Sequence, residues 1–152
     1  ILNIADILSR GLVFAGVSRR NQEYWKRLYP RARAKWIAYV EDRDLPALLR
    51  GAFCLAQPST AEGYGYPPLE AMACGVPAVV SNIPVLRETT GGHAFYASPE
   101  NPKEWLDHLK ALEERGTYRR QVEKGLKWVE PLRGRRGWEK HVGDIEELME
   151  KQ

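Results

Sequence analysis

Cysteine is scarce in this chain, two residues in 152, and Cys54 and Cys74 stand twenty positions apart. That spacing matches no zinc, iron–sulfur or redox motif. Both therefore read as small apolar core residues in a reducing compartment, the cytoplasm. Long hydrophobic runs are missing too. No segment approaches the roughly 20 apolar residues that span a bilayer, and no signal peptide is visible. Neither charge sign dominates: 23 Lys and Arg face 20 Asp and Glu, a formal net charge of +3. So mild a balance tolerates an anionic ligand but does not call for nucleic acid. What is present is 43% hydrophobic and 28% charged, the mix of a soluble globular protein. The length suits one domain over residues 1–152 with a single core. The opening Ile1-Leu2-Asn3-Ile4, without an initiator Met, leads us to expect a fragment of a longer protein.

Taken in order, the chain alternates short apolar runs with helical patterns. Ile1–Arg10 reads as a helix ending at Gly11, followed by a strand at Leu12–Ala15 and a helix near Asn21–Tyr29 stopped by Pro30. A second strand is expected at Lys35–Val40, then a helix carrying Leu45, Leu48 and Leu49, with Asp44 as its cap. Further strands are expected at Phe53–Ala56, Ala78–Val80 and Ala94–Tyr96, with a short helix near Pro84–Thr90. Helices should close the chain around Trp105–Leu112, Tyr118–Val129 and Gly137–Met149. This alternation predicts an α/β fold, a Rossmann-like parallel sheet covered by helices on both faces. Ligands of such sheets sit beyond the carboxyl ends of the strands.

One stretch organises the rest: Ser59-Thr60-Ala61-Glu62-Gly63-Tyr64-Gly65-Tyr66-Pro67-Pro68-Leu69-Glu70-Ala71-Met72-Ala73-Cys74-Gly75-Val76-Pro77. It follows the Phe53–Ala56 run and reads as strand, glycine-rich loop and helix N-terminus. Pro67 and Pro68 suit a first helical turn, and Gly75 followed by Pro77 is a stop signal. Free N–H groups and the positive end of a helix dipole then converge on the loop, which favours an anion. Glu62 lies on the loop and Glu70 in the first turn, with seven residues between them. An ionised carboxylate can accept both hydroxyls of a vicinal diol, and Gly63 and Gly65 let backbone approach a ligand closely. Acceptors for sugar hydroxyls beside donors for phosphate fit a nucleotide-sugar.

The run Glu62–Pro77 resembles the E-x7-E signature of the retaining GT-B glycosyltransferases of family GT4, and the similarity extends from about Gly11 to the C-terminus. The resemblance implies the C-terminal, donor-binding half of a GT-B fold. It implies that Glu70 binds the ribose hydroxyls of the nucleotide. Glu62 would bind the hydroxyls of the transferred sugar and is the expected catalytic residue. The backbone of Gly63, Tyr64 and Gly65 would lie against sugar and diphosphate. Leu69 and Tyr39-Val40 match positions flanking the base, and Tyr64 and Tyr66 either close over the donor or pack locally. The family retains anomeric configuration and needs no cofactor or metal.

The resemblance also marks what is missing. In the family an Arg and a Lys that grip the diphosphate follow the first strand of this domain, ahead of anything in this sequence. Arg19 and Arg20 are the candidates to stand in. The acceptor-binding domain is absent too, and is expected upstream or on a partner chain. The isolated domain is therefore expected to be inactive. A stand-alone nucleotide-sugar binder, or a subunit of a split transferase, is the alternative. Of the histidines, His93 is read as a strand-edge residue or a phosphate contact, and His108 and His141 as surface. From Arg115 to Lys140 nine basic residues outnumber three acidic ones. That stretch is read as a solvated or inter-domain face, or as peripheral contact with an anionic membrane carrying a lipid-linked acceptor.

Overall fold

The computed structural model describes residues 10–132. The helices expected over Ile1–Arg10 and Gly137–Met149, the basic residues from Arg133 to Lys140, and His141 lie almost wholly outside that range. Within it, β1 (Leu12–Ala15), α1 (Arg19–Leu28), β2 (Ala34–Ile37) and α2 (Leu45–Arg50) form the first half. The second half holds β3 (Leu55–Gln57), α3 (Tyr66–Ala73), β4 (Ala78–Ser81), α4 (Pro84–Thr89), β5 (Phe95–Ala97), α5 (Pro102–Ala111) and α6 (Arg115–Val129). Strands and helices alternate and every strand pair is parallel, with β1 on β2, β3 on β4 and β4 on β5.

The expected single sheet is instead two, of order β1-β2 and β3-β4-β5. The second is covered on both faces, as a parallel sheet should be. Its central strand shows how, because neighbouring side chains on a strand point to opposite sides. Val79 packs with Trp105, Leu109 and Leu112 under α5, whereas Ala78 and Val80 pack with Met72, Leu86 and Val129 under α3, α4 and α6. All four β4 residues are buried. Gly125 lets α6 lie close to α3: a Cβ there would stand 2.9 Å from Met72 Cγ. A smaller cluster of Leu49, Ala71 and Val76 joins α2 to α3. The β1-β2 sheet is barely covered, and Val13 is 51% exposed. Its firmest internal contact is the stacking of Phe14 on Trp36, ring centroids 4.4 Å apart.

Several expected boundaries move. The second strand stops at Ile37, so Tyr39 and Val40 fall beyond it in a loop, with Tyr39 75% exposed. The third strand runs Leu55–Gln57 and is half-buried along its length. Asp44 does precede α2, but its side chain makes no capping bond and instead joins Glu41 around Arg43. His108 is packed rather than free on the surface: its ring stacks on Phe95 at 4.9 Å and Nε2 lies 3.0 Å from the Tyr96 carbonyl. His93 sits just before β5 with its ring against Trp128. The basic side chains that α6 carries are exposed, and Arg119 and Arg120 meet Glu123 and Glu114 there.

Candidate functional site

The signature stretch begins where β3 ends. Gln57 is the last strand residue, and its Nε2 donates to Glu62 Oε1 at 2.5 Å. Ser59 Oγ donates to the same carboxylate oxygen, also at 2.5 Å. Two donors on one oxygen fix the half-buried Glu62 in place at the carboxyl end of the strand. The second oxygen, Oε2, is left to accept from a ligand hydroxyl. Gln57 Oε1 is buried without a hydrogen-bond partner, a spare acceptor beside the clamp.

The loop after Glu62 is anchored by α4, which shares a sheet face with α3. Thr89 Oγ1, on α4, donates to the Tyr64 carbonyl. The Thr89 carbonyl in turn accepts from Trp128 Nε1 at 2.9 Å, which ties α6 to the loop through α4. The Tyr64 and Tyr66 rings pack on each other, centroids 4.7 Å apart, the local arrangement of the two expected. Gly65 caps α3 with φ +88°, in the left-handed region that glycine favours. A Cβ there would also meet Leu86 Cδ2 at 2.5 Å, so two independent reasons demand glycine. Pro67 and Pro68 occupy the first turn, as the sequence predicts. Glu70 does not: it is the fifth helical residue, in the second turn, and the helix closes at Ala73 rather than Gly75.

Glu70 is exposed overall, yet its carboxyl is pushed above the ordinary glutamate value. Partial loss of water beside the helix is the larger cause, and the negative charge of Asp42 adds to it. Asp42 follows Tyr39-Val40, so the loop after β2 reaches toward the second glutamate. Leu69 is half-buried and belongs to the α3–α4 core cluster. Arg19 and Arg20 open α1, both exposed, just past the carboxyl end of β1. Ser18 caps that helix by accepting from the Asn21 amide.

The structure thus brings Gln57, Ser59, Glu62 and the glycine loop together, and sets Asp42 near Glu70. Gln57, Ser59, Thr89 and Asp42 were not singled out from sequence. Gln57 did leave a signal as the first polar residue after Phe53-Cys54-Leu55-Ala56. Thr89 left none, because its partner is 25 positions away. Among the described residues no helix is long and apolar enough to cross a membrane.

Comparison with known proteins identifies the fold and the family. The O-antigen chain mannosyltransferase RfbU of Salmonella typhimurium is 40% identical over 75 residues, 49% of this chain and 21% of its own length. The O-antigen chain mannosyltransferase B of Escherichia coli is 42% identical over 85 residues, 56% of this chain and 20% of its own. Among solved structures, sucrose-phosphate synthase from Thermosynechococcus elongatus matches 97% of this chain and 40% of its own, with TM-score 0.78 and 21% identity. Anabaena HepE in complex with UDP and glucose matches 99% and 44%, with TM-score 0.76 and 20% identity. These likenesses establish the α/β Rossmann-like fold found in GT-B glycosyltransferases. The matches take in about a fifth of the curated relatives and two-fifths of the solved chains. The family model for group 1 glycosyl transferases fits residues 6–128, most of the sequence, and the chain belongs to that family.

Proposed function

We propose that this chain is the donor-binding domain of a retaining hexosyltransferase, completed by an acceptor-binding domain upstream or on a partner chain. The observation that carries the proposal is Glu62, held by Gln57 and Ser59 at a strand end with one carboxylate oxygen to spare. It stands one loop before a helix start capped by a left-handed glycine. Glu62 and the spare Gln57 acceptor take hydroxyls of the transferred sugar, Glu70 takes the ribose hydroxyls, and the amides of Gly63, Tyr64 and Gly65 face the diphosphate. Leu69, Tyr39 and Val40 flank the base, and Arg19 approaches the phosphates from the end of β1. No metal is required: the protein stabilises charge on the leaving diphosphate and aligns the two substrates. The names of the curated relatives favour mannose as the sugar and a polysaccharide as the product. HepE, by contrast, was solved with UDP-glucose.

Calorimetric titration with UDP, GDP and ADP and their hexose conjugates tests this reading. One nucleoside diphosphate should bind, and Glu70→Ala should weaken it at least tenfold, since losing a charge-assisted hydrogen bond costs about 1.5–3 kcal/mol. Glu62→Ala should weaken the sugar conjugate while leaving the bare diphosphate nearly unchanged. Equal affinities for all variants would overturn the assignment.

A further inference from the structure

The clamp on Glu62 is set by the sheet rather than by the glycine loop. Gln57 closes β3 in register with Val80, and the fully buried Ser81 hydroxyl donates to the Gln57 carbonyl at 3.4 Å. The Gln57 backbone is therefore fixed by β4, and its side chain starts from a firm point. From there Nε2 reaches Glu62 Oε1 at 2.5 Å, and Ser59 Oγ reaches the same oxygen. The terminal torsion of a glutamate is broad and roughly two-fold, so a lone carboxylate presents either oxygen over a wide range of angles. Two donors on Oε1 remove that freedom and leave Oε2 with capacity to spare.

Gln57 also carries a cost that packing does not account for. Its Oε1 is the one buried side-chain oxygen or nitrogen without a hydrogen-bond partner among the described residues. A buried acceptor in that state costs about 1–3 kcal/mol. Methionine has the same unbranched reach and fills irregular gaps without an orphan acceptor. An amide kept at a strand end against stability calls for a functional reason, and the side chain its Nε2 meets is Glu62.

We propose that Gln57, with Ser59 beside it, is a positioning residue for sugar recognition, a role that rests on the donor-binding reading above. Acting through Glu62, the pair sets how much more tightly the chain binds a nucleotide-sugar than the bare nucleoside diphosphate. Oε2 is oriented during folding, so a sugar hydroxyl that meets it does not have to order the carboxylate on binding. The diphosphate, held by loop amides, gains nothing from the clamp.

Two measurements on the 152-residue chain test this. The first needs no ligand: the Gln57 side-chain amide protons, assigned by NMR, should move upfield and exchange faster with water in Glu62→Ala. Signals that do not respond show no clamp and overturn the proposal, whatever the chain binds. The second is calorimetry with a nucleoside diphosphate and its hexose conjugate, the ratio of the two affinities being the gain due to the sugar. Gln57→Met should lower that gain about fivefold or more, the size of one ordinary hydrogen bond, and change diphosphate affinity less than about twofold. In a Glu62→Ala background the same substitution should lower the gain no further, because both act through one group. Ser59→Ala should also lower it, and Ser59→Thr should recover most of that loss. The urea midpoint of Gln57→Met should be no lower than that of the parent. A gain that persists in Gln57→Met overturns the positioning role while leaving donor binding intact, and more firmly so if stability falls instead. A parent chain that gains nothing from the sugar overturns the donor reading of Glu62 and this role with it.

Discussion

The two halves of this domain are built from similar elements and differ sharply in how much they bury. Between Arg10 and Gly51 only Gln22 and Leu49 are buried, and Leu49 faces the other half. From Ala52 onward, two apolar clusters close over both faces of β3-β4-β5. Helix α1 leaves Tyr24, Trp25 and Leu28 exposed, whereas α5 sinks Trp105 and Leu109. Hydrophobic content therefore does not distinguish the halves; helix cover on both faces of the sheet does. The signature stretch starts from β3 in the covered half, which supports Glu62 and Gly65.

That contrast can be broken by substitution. The largest effect is expected at Trp105, fully buried with Nε1 donating to the Ser98 carbonyl at 2.7 Å. Trp105→Ala should cost about 3–5 kcal/mol in urea unfolding. A similar cost for Tyr24→Ala would erase the difference between the halves. Next comes Gly65→Ala, which combines a left-handed backbone with the Leu86 collision. It should cost about 2–3 kcal/mol and weaken donor binding as the loop shifts. Thr89→Val should follow, at about 1–2 kcal/mol, because it strips the Tyr64 carbonyl of its donor. Thr89→Ser should recover most of that loss, and a Ser variant no better than Val would show that the hydroxyl is not the anchor.

A smaller and purely electrostatic effect is expected at Asp42. Glu70 has its folded-state pKa raised, so its contribution to stability is greatest below the ordinary glutamate value. That contribution is lost as pH rises through the raised one. Asp42→Asn should lower the Glu70 pKa, seen by carboxyl-carbon NMR titration, and flatten the fall in stability over that interval. An unchanged titration would mean that lost hydration alone sets the shift. Smallest of all, Val13→Thr should change stability by no more than about 0.5 kcal/mol, as at any surface site.

Much of the fold was legible in the chain. Alternating apolar runs and helical patterns put β1 at Leu12–Ala15 and α4 at Pro84–Thr89 to within a residue or two. Proline and glycine marked the ends of α3 because each acts through its own backbone. Strand ends were less legible: Tyr39 and Val40 continue an apolar pattern that hydrogen bonding does not follow past Ile37. The chemistry of the site was half legible. Glu62, Gly63, Gly65 and Glu70 announce themselves by residue type and spacing. Gln57 and Ser59 become meaningful only when both reach one carboxylate oxygen.

By itself the sequence determined the class of fold, the position of the glycine-rich turn and the family, since these rest on local periodicity, backbone preference and motif spacing. Tertiary structure alone decided that the sheet is split and that α6 steadies the loop through Trp128 and Thr89. It also decided that lost hydration, with the charge of Asp42 beside it, raises the pKa of Glu70. Each of these joins residues far apart in the chain, and no short-range pattern records which distant groups come to share an edge, an oxygen or a field.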